Sequence, residues 1–104
     1  MKLDDEKRKE IKAANPSVKL TVATVKDAFG VEHDFVFRPI DRVTSDISSK
    51  EVSNSPTKAV EIEMTNSLVF GDKNAIASDD IVFHALMRKW SEIQKPVAVT
   101  LGEL

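Results

Sequence analysis

The stretch that most constrains this chain is GVEHDFVFRPIDRV, residues 30–43, because a period-two pattern there runs into a residue that no interior strand position accepts. Val31, Phe35 and Phe37 fall on one face together with His33, and Glu32, Asp34 and Arg38 fall on the other, which is the alternation of a half-buried strand. Val36 interrupts the outer face. Pro39 has no N–H to give a ladder, so the strand must stop before it. Asp41 stands where a carboxylate caps a helix, and Val43 and Ile47 follow one turn apart. Arg-Pro-Ile-Asp is therefore predicted as a strand-to-helix corner, with Phe35 and Phe37 facing the core and Arg38 outside.

Upstream, residues 18–25 (VKLTVATV) are rich in β-branched side chains and place Leu20 and Val22 on one face. KDAFG then supplies turn chemistry, with Gly30 free to take positive φ. Together these predict a β-hairpin over about 18–38. Residues 4–14 (DDEKRKEIKAA) are helix formers with acidic groups where a helix N-terminus favours them, and Asn15-Pro16 ends the run. This helix offers a core only Leu3, Ile11 and Ala14, so residues 1–16 are predicted as a charged, mostly solvated arm. Its use as an oligomer or partner contact is the alternative.

Downstream, residues 48–56 (SSKEVSNSP) are small and polar and read as a loop, from which Ser55-Pro56 starts a helix with proline in the first turn. TKAVEIEMTNSLVF places Val60, Met64 and Leu68 at helical spacing, while Val60, Ile62 and Met64 also alternate. Helix is preferred, with Gly71 as its C-terminal cap. DKNAIASDD reads as a loop that delivers Ser78 as the next cap, and a helix over 79–94 carries the stripe Val82, Leu86, Lys89 or Trp90, and Ile93, widened by Phe83 and stopped at Lys95-Pro96. The final VAVTLGEL alternates Val97, Val99 and Leu101 and is expected as an ordered tail or an added edge strand. The expected fold class is α+β in a single domain over 1–104: a short N-terminal helix, the hairpin, a helical part of about three helices over 41–94, and a tail over 95–104.

At 104 residues the chain can bury roughly 65% of its unfolded surface, enough for one modest core. The first fifty residues hold ten Lys and Arg against nine Asp and Glu, and the remainder five against eight, a mild asymmetry that gives no basic face for nucleic acid. There is no cysteine, so disulfides, thiol redox chemistry and thiolate-bound zinc are excluded by count. No signal-like apolar segment opens the chain and no stretch of about 18 apolar residues occurs, so a soluble cytoplasmic protein with no membrane partner is expected.

The residues nominate no catalytic group, cofactor site or metal site. A nucleophile elbow, a phosphate loop and a His-Glu-x-x-His pair are all missing, and three glycines at 30, 71 and 102 are too scattered to cradle a phosphate. His33 and His84 could meet Asp34 or Asp80 through folding, although nothing in their spacing requires it. Glu61 and Glu63 are expected on a solvated face, and Asp79 and Asp80 in a helix's first turn. Trp90 and the five phenylalanines fit a core better than a base-stacking platform, because Lys and Arg are not interleaved with them.

An order of parts carries a resemblance. A hairpin whose second strand follows a glycine and ends in GVEHDFVFRP is succeeded by a polar helix with DRVTSDI, a helical half with SLVFGD, and the amphipathic DDIVFHALMRKWSEIQKP. Over residues 20–100 this resembles the small tail assembly chaperones of long-tailed bacteriophages and prophages. The resemblance implies a non-catalytic, cofactor-free protein that binds the aggregation-prone tape measure protein, or another tail protein, during assembly. A client with helical apolar stripes would be met by an apolar groove with a charged rim, so Met64, Leu68, Phe83, Met87 and Trp90 become candidate partner contacts. The competing assignment for all five is the core. A structural virion component and a small ligand-binding domain with His33 or His84 in its pocket are the alternative readings, and a homo-oligomer stays open.

Overall fold

A computed structural model describes residues 1–95 and 100–104. The architecture is α+β, with a three-stranded antiparallel sheet and five helices among the described residues. In chain order these are α1 (Asp5–Ala14), β1 (Thr21–Lys26), β2 (Glu32–Phe37), α2 (Arg42–Glu51), α3 (Pro56–Ser67), β3 (Leu68–Phe70), α4 (Lys73–Ser78) and α5 (Asp80–Ile93). The sheet order is β1-β2-β3, with β2 in the middle, so α2 and α3 are an insertion between two strands that pair side by side. Of the alternation expected at the chain's end, Val97 and Val99 lie outside the described residues, while Leu101 is exposed and in no strand.

The hairpin follows from its turn. Asp27 staples the loop: its carboxylate accepts from the N–H groups of Phe29 at 2.9 Å and Val31 at 3.0 Å, and its other oxygen meets His33 Nε2 at 2.9 Å. Gly30 takes φ +76° there, the left-handed conformation expected of it. Phe29, at the tip, is 91% exposed, an exception to the expectation that every phenylalanine is core. Val31 is also exposed, because the strand begins only at Glu32.

Two apolar clusters lie on opposite faces of the sheet. The larger joins Val25, Phe35 and Phe37 from the hairpin to Met64, Ile76, Val82, Phe83, Leu86 and Trp90 from the helices. The smaller joins Val36 and Phe70 to Ile11 of α1, with Leu3 and Leu20 at its edge. The outer face of β2 is therefore covered, contrary to the solvated face its Glu-Asp-Arg pattern suggested, and Asp34 is buried in it. The reason is the arm. Residues 1–16 are docked: Met1 accepts a backbone bond from Asp34 at 2.8 Å and Leu3 donates to the Asp34 carboxylate at 2.7 Å.

The corner forms as expected. Asp41 caps α2 by accepting from the Thr44 N–H at 2.7 Å. The face that α2 turns inward is different from the expected one: Thr44 and Ser48 are buried, while Val43 and Ile47 are exposed. The Ser48 hydroxyl donates to the Ser45 carbonyl at 3.1 Å, so that inward group is paired within its own helix. The helix also runs on through Glu51, so the loop expected over 48–56 shrinks to a turn before Ser55, which caps α3.

Three further boundaries differ from the sequence reading. Leu68–Phe70 leaves the helix and becomes β3, pairing with Val36 and Phe37 through a bulge. Gly71 consequently ends a strand, at φ +134°, and a side chain there would strike Phe35. Lys73–Ser78, expected as a loop, is a short helix capped by Asp72 that buries Ile76. The cap of α5 is Asp79, one residue after the expected Ser78, and it accepts from the N–H groups of Ile81 and Val82.

Candidate functional site

The five residues singled out as partner contacts all serve the larger cluster. Met64, Phe83 and Trp90 are buried within it, and Leu68 and Met87 are partly buried against it. Trp90 stands edge-on to Phe37 with ring centroids 4.9 Å apart, and its indole N–H donates to Glu63 Oε1 at 2.9 Å. Glu63 is thus a partner of Trp90 rather than part of a solvated face. These side chains join α3, β3 and α5 to the hairpin through one cluster.

The two histidines are engaged separately. His33 binds Asp27 in the hairpin loop, its Nδ1 buried without a hydrogen-bond partner among the described residues, and His84 sits exposed on α5 with Nδ1 2.7 Å from the Asp80 carbonyl oxygen. His33, together with the N–H groups of Val31 and Phe29, holds the Asp27 carboxyl below its ordinary value. Among the described residues no group of three His, Cys, Asp or Glu is placed to hold a metal ion.

The motif that carries the resemblance is the joint where the parts meet. Arg38 donates its backbone N–H to Ser67 at 2.9 Å and its guanidinium to the Asn66 carbonyl at 3.0 Å, tying β2 to the end of α3. Gln94, just beyond α5, donates to the Arg38 carbonyl and accepts from the Ile40 N–H, each at 3.0 Å. Pro39 removes the donor that would have prolonged the strand, so the chain leaves the sheet where these two clasps hold it.

What the sequence reading missed is the free flank of β1. Among the described residues no strand pairs with its outer side. Beside it, β1 and α5 enclose a groove of about 650 Å3, floored by Ala23, Val25, Ala85, Leu86 and Ile93 and rimmed by Lys26, Arg88, Lys89 and Glu92. A second recess of about 370 Å3 lies between α1 and the opposite sheet face, lined in part by Leu3, Ile11, Leu20 and Val36. The signal for the flank was present in TVATVK, a β-branched strand with one terminal charge and no proline, but a strand's neighbours cannot be read from its own residues.

No family model, curated protein or solved structure matches the chain. No helix among the described residues is long and apolar enough to cross a membrane.

Proposed function

We propose that this protein is a non-catalytic assembly chaperone of the kind its sequence resembles, binding the tape measure protein or another tail protein of a long-tailed phage or prophage. The observation that carries the reading is the joint at Phe35-Val36-Phe37-Arg38-Pro39, where the resembling motif ties hairpin, α3 and α5 together. A small domain of this build offers a client surfaces rather than chemistry: a groove beside β1, and exposed Val43, Ile47 and Phe29. Client binding falls to those exposed groups, because Met64, Phe83 and Trp90 are committed to the core.

Affinity capture of the tagged full-length protein from its host with prophage induced, followed by mass spectrometry, tests the reading. A long, helix-rich tail protein should co-purify, and this protein should be missing from finished particles. Retention in mature virions would replace the proposal with a structural role, and recovery of no tail protein would discard it.

A further inference from the structure

The hydrogen-bonding pattern of the hairpin determines which groups of β1 are free. Asp27 donates to the Val31 carbonyl at 2.9 Å, so in the register Val25↔His33, Ala23↔Phe35, Thr21↔Phe37 the odd-numbered residues of β1 bond to β2. The N–H and C=O groups of Val22, Thr24 and Lys26 then point to the outer side. The other edge of β2 obeys the same parity, since Asp34 and Arg38 give their N–H groups to Met1 and Ser67. Natural sheets blunt such an edge with bulges, prolines or inward charges. β1 pairs in unbroken register over six residues and carries one charge, Lys26, at its end.

Chemistry selects the occupant. An added strand would turn every second side chain onto the floor of Ala23, Val25, Ala85 and Ile93, which suits small or β-branched apolar groups. Its remaining side chains would lie on the opposite face of the sheet, beside Val22, Thr24 and Lys26, and Lys26 has no ion-pair partner among the described residues. A second copy of β1 would bring Lys26 no carboxylate, since Thr21–Lys26 contains none, whereas an acidic segment would meet it with opposite charge.

We infer that the outer edge of β1, with the groove beneath α5, binds an extended segment of another protein in which apolar residues alternate with carboxylates, adding it to the sheet as a fourth strand. This strand-addition site goes beyond the assembly reading and stands without it.

The test titrates the isotope-labelled full-length chain with acetyl-Glu-Val-Thr-Val-Glu-Val-amide and with its counterpart bearing lysine for glutamate, following backbone amides by NMR. The acidic peptide should shift and protect the amides of Val22, Thr24 and Lys26, and should bind roughly tenfold tighter than the lysine peptide. Lys26→Glu, at an exposed position, should reverse that preference. Val22→Pro, which deletes one outward N–H from an edge strand, should weaken both peptides while the reversal variant serves as the control for folding. Protection of these three amides in the dilute free chain, or protection that grows with protein concentration alone, would overturn the proposal by showing the edge already covered from within or by a second copy. Equal binding of the two peptides, shifts confined to Val43 and Ile47, or no shifts at all would overturn it as well.

Discussion

Gly71 and Gly30 both adopt positive φ, yet only one is closely surrounded. A Cβ at Gly71 would lie 2.6 Å from a Phe35 ring carbon and 3.1 Å from the Asp34 carbonyl oxygen, while one at Gly30 would meet nothing within 4 Å. Gly71→Ala should therefore lower stability by roughly 2–4 kcal/mol and Gly30→Ala by only about 1, read as shifts of the urea midpoint. Asp34 makes a second prediction at this scale. The Leu3 N–H, then Thr24 and Lys2, hold its carboxyl below the ordinary value of 3.8, against the opposing effect of burial. A depressed folded pKa gives stability that is fully present above about pH 4 and lost as pH falls through the folded value. Asp34→Asn should thus be less stable than wild type at neutral pH, with a shallower loss below about pH 4, as measured by urea unfolding across that range.

At the scale of the element, α2 shows how apolar spacing can mislead. Val43 and Ile47 define a stripe at helical spacing, and Val43 is 67% exposed. The buried positions, Thr44 and Ser48, are small, as is the buried Ala59 of α3, and small side chains let two short helices pack closely. Val43→Lys should change stability by no more than about 0.5 kcal/mol, whereas Ser48→Lys should cost more than about 2 through overpacking and a buried charge, both read from thermal and urea unfolding. The amphipathic pattern of α5 was reliable for a corresponding reason. Val82, Phe83, Leu86 and Trp90 are large, and only the main cluster has room for them. In β3 the failure was one of length: three residues, Leu68–Phe70, follow the helix without a breaker, too few to show a period.

For the whole molecule, the arm decides whether the sheet has one covered face or two. Ile11 closes the smaller cluster over Val36 and Phe70, and Met1 to Leu3 bond to β2. Ile11→Ala should cost about 2–3 kcal/mol, and the protein should still unfold in one calorimetric transition because the arm and the sheet share that cluster. An arm that unfolded separately, before the rest, would contradict this arrangement. The same covering explains why Asp34 and Val36, read as outer-face residues, are buried: their cover comes from a segment about thirty residues away, of whose few apolar side chains Leu3 and Ile11 reach the sheet.

Local chemistry by itself determined the hairpin turn at Asp27 and Gly30, the stop at Pro39, the caps at Asp41 and Ser55, and the inward face of α5. Each depends on groups within a few residues, where hydrogen bonding and side-chain size act without the rest of the chain. Tertiary structure alone decided that β3 joins the sheet, that α1 covers its second face, that α2 turns its hydroxyls inward, and that the outer edge of β1 faces a groove. These are questions of which distant surface meets which, and a residue's own pattern carries no information about the surface that will cover it.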